Sequence, residues 1–390
     1  MSNQRQASSA SQVPHLSPAE LSYLYTSLSL PKNPIRPDGR SPTQFRPLSA
    51  ETTILPGTNG SARIGFADGT QAIVGVKAEV EKTVLAADTL DSRSLAQHGD
   101  ALNREGEEGS AAVSGQGEWV QMSIEIPGYR DDDALPIFLG EMMRESLVGS
   151  VEHKDEMAGG LKARLVINKR WHWRLYIDVS LFFLPLDFPV SATDIMQVLL
   201  LSQPLSYPLP LLSLTTHLAL LSTKLPKLKS TGEEDPFFDD DWAAAEYLYP
   251  RSKPSSGAFH PVRPPVTLLV VSVGENVIFD PNREEISVAD AVLAISITRS
   301  HDSEALKLLS IRSIDPPSRL TQPGIPNSEN ASMLGAAPTE NPSQEEVTGV
   351  WRPRRGGIKR SVVARMIKTV LGKGGVGEEV LEGLEGVEVQ

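Results

Sequence analysis

Apolar residues recur at every second position in several stretches of this chain, and each such stretch predicts a strand. Gly60–Phe66 and Gln71–Val80 flank Asp68-Gly69, and Ala72, Val74, Val76, Ala78 and Val80 share a face. The pair reads as a hairpin whose Asp-Gly supplies the positive φ angles of a tight turn. Glu118–Ile126 puts Val120, Met122, Ile124 and Ile126 together, and Trp171–Phe183 alternates throughout, with His172, Arg174 and Asp178 on its polar face. Val266–Val273, Asn276–Phe279, Ala291–Thr298 and Leu306–Ser313 are further strands. A 3.6-residue period predicts helices over Leu135–Val148 and Leu211–Ser222, and a basic amphipathic helix over Ile358–Leu371. Ser17-Pro18-Ala19-Glu20 carries a cap, a first-turn proline and an acid, which predicts a helix over Pro18–Leu28. Strands followed by a helix, given twice, predict an α+β architecture of two similar halves.

Polar punctuation divides the chain. Residues 1–31 read as an N-terminal extension, 32–228 as a first domain with a long polar loop at 88–117, and 229–263 as an acidic and Pro/Ser-rich linker. Residues 264–314 begin a second domain, 315–356 are a Pro/Ser/Asn-rich disordered insertion, and 357–390 hold the basic helix and a Gly/Glu-rich tail. Cysteine is absent, so no disulfide framework, Cys-ligated zinc or thiol nucleophile is available. The apolar runs are too short for a bilayer, and Met1-Ser2-Asn3-Gln4-Arg5 has no apolar core behind it, so neither a membrane span nor a secretory signal is expected. A net charge of −12 excludes a protein that coats nucleic acid with its whole surface, which confines any RNA contact to a local basic patch. No GxxxxGK[ST], HExxH or GxSxG is present, and the seven His lack ligand spacing, so neither a cofactor nor a metal is expected.

An ordered set of short motifs resembles one family. Ile35-Arg36-Pro37-Asp38-Gly39-Arg40 with Arg46-Pro47 resembles the Arg-x-Asp-Gly-Arg motif that opens ribonuclease PH-like proteins. Gly60-Ser61-Ala62-Arg63 with Val74-Gly75-Val76-Lys77-Ala78-Glu79 resembles the first hairpin of exosome ring subunits. Tyr176-Ile177-Asp178-Val179 is similar to the family's central strand, and Leu211–Pro226 to the helix and exit after it. Asp280-Pro281 with Glu284-Glu285 is similar to the segment that opens the second half. The set spans most of residues 32–312 and most resembles the non-catalytic subunit equivalent to human exosome component seven. The resemblance implies the ribonuclease PH-like, ribosomal protein S5 domain 2-like fold of two β-α-β halves, with disordered insertions. It also implies a place in the nucleus, nucleolus and cytoplasm, other ribonuclease PH-like ring subunits and S1/KH cap subunits as partners, and RNA threaded through the ring during rRNA and other RNA processing and degradation.

Active members of the family resemble one another in an Ala-Asp-Gly-Gly-Thr-Arg segment that holds phosphate at a helix N-terminus, where free N–H groups and the helix dipole favour an anion. Here that segment reads Phe182-Phe183-Leu184-Pro185-Leu186-Asp187-Phe188-Pro189, followed by an insertion to about Ser206 and by Pro210 where the family's helix begins with an acid. Asp187 and Asp194 remain as acids of the insertion, better read as a turn residue and a helix cap. The expectation is a structural, RNA-path subunit that is not an enzyme. An active phosphorolytic 3′→5′ exoribonuclease and an interaction scaffold without RNA contact are the alternatives. By position in the resemblance, Arg144 on the Leu135–Val148 helix is the foremost RNA-facing candidate and Arg130 the next, with Arg36, Arg40 and Arg63 added as cations of the matched motifs. Each could instead be a solvated or paired charge. Asp280-Pro281 reads as turn chemistry.

Overall fold

The computed structural model describes residues 16–31, 33–83, 115–130, 132–149, 161–183, 206–230, 232, 234–249, 263–299, 305–314, 351 and 357–387. Most of the expected 88–117 loop, the insertion with Asp187 and Asp194, and residues 1–14 and 315–350 lie outside them.

Helix α1 (Pro18–Leu28) begins at a capping box, in which Glu20 N donates to Ser17 Oγ at 3.3 Å and Ser17 N to the Glu20 carboxylate at 2.7 Å. β1 (Leu48–Thr52), β2 (Gly60–Phe66), β3 (Thr70–Lys82) and β4 (Val120–Glu125) follow. Helix α2 (Ala134–Val148) then leads towards β5 (Trp171–Phe183), and the five strands form one sheet in the order β1-β2-β3-β5-β4. β4 pairs parallel with β5 and the other pairs are antiparallel. At the β2–β3 turn only Gly69 takes a positive φ, +87°, while Asp68 accepts from Thr70 N at 2.9 Å. Ala62, Ile64, Ala72, Val74, Val76, Leu175, Ile177 and Val179 are buried on the inner face, as the alternation predicts.

Helix α3 (Leu209–Ser222) covers that face, and every one of its residues is buried. A helix apolar on all sides needs packing on all sides, and α3 lies between the first sheet and β8. Its buried hydroxyls are satisfied locally: Thr215 Oγ1 donates to Leu211 O at 2.7 Å and Thr216 Oγ1 to Leu212 O at 2.8 Å. The approach to β2 is close enough that a Cβ on Gly60 would lie 2.5 Å from Thr223 Cα.

The short strands β6 (Lys224–Leu225) and β7 (Glu246–Tyr247) pair with each other. β8 (Val266–Val273), β9 (Asn276–Phe279), the short helix α4 (Arg283–Ser287), β10 (Ala291–Arg299) and β11 (Leu306–Ile314) build the second half, a four-stranded antiparallel sheet in the order β11-β10-β8-β9. α5 (Arg360–Leu371) and α6 (Val376–Glu385) complete it. The fold class is α+β, as expected. Among the described residues no helix is long and apolar enough to cross a membrane.

Four local expectations are corrected. Trp351, inside the expected disordered insertion, is buried, and its N–H donates to Ser22 Oγ at 2.8 Å. The described residues of the linker, up to Tyr249, are tied to the fold: Lys229 N donates to Phe237 O at 2.8 Å, Asp239 N to Lys227 O at 2.9 Å, and Phe238 packs on Trp173 with ring centroids 5.0 Å apart. Phe238, Leu248 and Tyr249 give this acidic stretch enough apolar surface to anchor it. The Gly/Glu-rich tail contains α6, whose Val376, Leu381 and Leu384 are buried and whose Glu385 pairs with Arg263 at 3.0 Å and Arg299 at 3.4 Å. His172, expected on a polar surface, is buried and stacked on Trp119 with centroids 4.1 Å apart. Burial pushes its pKa down and leaves it neutral at pH 7.

Candidate functional site

The segment before β1 brings three arginines to the start of the second half. Arg36 forks onto Glu285, with Nε and Nη2 each 2.8 Å from a carboxylate oxygen, and its Nη1 and Nη2 also reach the carbonyls of Ser41 at 3.2 Å, Phe279 at 3.2 Å and Asp280 at 2.9 Å. Arg40 donates to Asp38 at 2.7 Å and to Asp280 Oδ2 at 2.8 Å. Arg46 takes both Asp280 oxygens, Nη2 to Oδ1 at 2.6 Å and Nε to Oδ2 at 2.9 Å, while its Nη1 reaches Asp68 at 2.6 Å and Ser206 Oγ at 2.9 Å. One buried carboxylate thus ties the segment before β1, the β2–β3 turn and the approach to α3 to the second half. Asp280 holds φ at +44°, a conformation uncommon for a residue with a side chain, which this network sustains.

Arg36 and Arg40 are therefore corrected as RNA-contact candidates. Their side chains are 0% and 8% exposed, and their donors are spent on acids and carbonyls within the chain. The Asp280-Pro281 segment is likewise more than a turn, since its carboxylate is the centre of the network. Arg46 and Glu285 were legible only as motif letters, because Arg36 and Glu285 stand 249 residues apart and no local pattern announces such a pair.

Burial would raise the Asp280 carboxyl, but the hydrogen bonds and charge of Arg46, with Arg40, outweigh it and hold the group below the usual carboxylate range. A depressed folded-state pKa stabilises the fold in full above the unfolded value of about 3.9 and progressively less as pH falls through the folded value. The urea midpoint is expected to lose the contribution of this group only below about pH 4, and Asp280→Asn should shrink that acid-dependent loss. An identical acid profile for the variant would contradict the assignment.

The N-terminus of α3 lies beside this network, since Ser206, held by Arg46, precedes it closely. Pro208 is its cap residue and Pro210 sits in its first turn, which holds no acid, and the cap offers no side-chain hydrogen bond. Two prolines remove two N–H donors from the end of the helix that would face an anion. Leu209 and Leu211 in this turn are buried, 0% and 1% exposed.

The remaining candidates do not form one site. Arg144 on α2 pairs with Glu141 at 2.9 Å and donates to Gly117 O at 3.1 Å, yet keeps 30% of its side chain exposed. With Lys162, Glu145 and Arg312 it lines a cavity of about 530 Å³. Arg130 is exposed in the turn before α2, so about 15 Å of helix separates it from Arg144. Arg63 lies opposite Glu51 across β1 and β2, on the face away from the core, and pairs with it at 2.7 Å. Lys162 and Arg312 were missed, because elements remote in sequence bring them to Arg144.

The chain is 30% identical over 299 residues to the exosome complex component rrp42 of Schizosaccharomyces pombe, across 73% of this chain and 79% of the relative. The chain belongs to the Rrp42 family of exosome components. The Rrp42 of Saccharomyces cerevisiae is 29% identical over 310 residues, covering 77% of this chain and 90% of that protein. The archaeal Rrp42 of Sulfurisphaera tokodaii is 24% identical over 262 residues, 67% of this chain and 74% of its own. No family model matches. A chain of the Archaeoglobus fulgidus exosome with RNA bound to the active site superposes with a TM-score of 0.45 at 19% identity, over 76% of this chain and 86% of that one. Membership of the Rrp42 family agrees with the ribonuclease PH-like fold and the exosome resemblance read from the motifs.

Proposed function

We propose that this Rrp42-family chain is a non-catalytic subunit of the exosome ring. In this reading it holds its place against other ribonuclease PH-like subunits and S1/KH cap subunits, in nucleus, nucleolus and cytoplasm, and offers cations to RNA on the way to a nuclease elsewhere. One observation carries the non-catalytic part, namely the proline-blocked first turn of α3. Phosphorolysis needs phosphate held in line with the scissile bond by preorganised donors. At this helix end two donors are missing, and Arg46 beside it is committed to Asp280 and Asp68. Co-purification of the tagged full-length chain tests the assembly. Ring and cap subunits are expected in equal amounts, and a chain recovered without other exosome components would overturn the reading.

Exposure of Arg144 favours an RNA path over a scaffold without RNA contact. In the assembled ring, Arg144→Glu is expected to weaken single-stranded RNA binding irrespective of base sequence, because phosphate contacts position a strand without reading it. The slope of log affinity against log salt should flatten by about 0.7 for each phosphate that is no longer neutralised. Unchanged binding with an unchanged slope would leave Arg144 as the partner of Glu141 alone, a pair worth a few tenths of a kcal/mol.

A further inference from the structure

The folded acidic stretch between the halves carries a second surface, remote from Arg144 in chemistry. Glu233-Glu234-Asp235-Pro236-Phe237-Phe238-Asp239-Asp240-Asp241-Trp242 holds six acids and no base. Phe238 turns inward onto Trp173, whereas Phe237 stays 64% exposed, Trp242 50% and nearby Leu228 40%. Beside them a groove of about 320 Å³ has apolar walls from Trp173, Leu225, Leu228 and Phe238, with Arg164, Lys227 and Glu246 among its lining. Large apolar side chains held open to water next to a partly apolar groove, on a stretch tied down by backbone hydrogen bonds, mark a contact surface.

The rings themselves show what such a surface would attract. Lys82 Nζ lies 5.2 Å over Trp171, Lys224 Nζ 4.9 Å over Tyr247 and Lys229 Nζ 5.9 Å over Phe237, so three aromatic faces at this end of the molecule already have a cation over them. Trp242 has the same indole face as Trp171, yet among the described residues no cation lies over it. It follows directly on Asp239, Asp240 and Asp241, of which Asp239 alone pairs with a cation among the described residues, Lys229 at 3.0 Å.

We infer that this surface docks a basic peptide segment of another protein, with an aliphatic side chain seated in the groove and Lys or Arg placed over Trp242 among the aspartates. The acids favour the encounter and set its specificity, and the apolar anchors hold it. RNA is the wrong occupant, because its phosphates would meet the carboxylates.

Fluorescence anisotropy tests this with the full-length chain and a short synthetic peptide of lysines and arginines interrupted by leucines. A control peptide has glutamates in place of the basic residues, and a poly-uridine oligonucleotide serves as competitor. The basic peptide should bind saturably, weaken with added salt, and lose about tenfold or more in affinity in the double variant Phe237→Ala, Trp242→Ala. Phe237 is mostly and Trp242 half in solvent, so the urea midpoint of the variant should stay close to that of the parent. Arg144→Glu should bind the peptide unchanged, which keeps this outcome separate from the RNA path. Equal binding of the acidic control, an unaffected double variant or displacement of the peptide by poly-uridine would each overturn the proposal.

Discussion

Asp280→Ala should destabilise the folded chain by about 3–5 kcal/mol, because removing one member of a buried ion network strands the charges it neutralised. Arg46 would keep Asp68 at 2.6 Å but no longer have the carboxylate that takes its Nε and Nη2, and Arg40 would keep only Asp38 among its acids. The positive φ at residue 280 would also be left without the network that sustains it. Urea unfolding at pH 7 measures the effect. Because the network joins the two halves, the transition should stay single while its midpoint falls. A loss below about 1 kcal/mol would place Asp280 with exposed ion pairs and contradict its role as the tie.

Leu381→Ala is expected to cost about 2–5 kcal/mol, the usual range for emptying a buried leucine site. Leu381 is 0% exposed, and α6 packs on α5 beside Met366 and Val370, which are also 0% exposed. The neighbouring Glu382→Gln should change little, since the buried positions of α6 are Val376, Gly377, Leu381 and Leu384. Thermal unfolding of both variants separates a packed helix from a solvated tail, because the tail expected from composition would leave the two alike.

The contrast between these two sites shows what the sequence carried. β5 is legible to the residue, since Trp171–Phe183 alternates without interruption, and a sheet with one face on the core imposes that period of two. α1 is legible because Ser17 and Glu20 form a complete capping box within four residues. The apolar period starts α3 two residues late, at Leu211, because prolines at 208 and 210 obscure a helix start that burial enforces. α6 is hidden by its glycines, which dilute a helical period of Val376, Val380, Leu381 and Leu384. The arginines before β1 are legible as charges, while their partners 234 to 249 residues away are not. In the sequence Arg36 and Arg40 are RNA candidates as cations of the matched motifs, and their buried partners decide for the paired-charge alternative.

Release of nucleoside diphosphates from single-stranded RNA by the purified full-length chain, with and without inorganic phosphate, tests the non-catalytic reading most directly. No phosphate-dependent release is expected, because prolines at 208 and 210 remove two of the N–H donors that phosphate would need at the start of α3. Release that requires phosphate, scales with the amount of chain free of other exosome subunits and is lost in Asp187→Asn would contradict it.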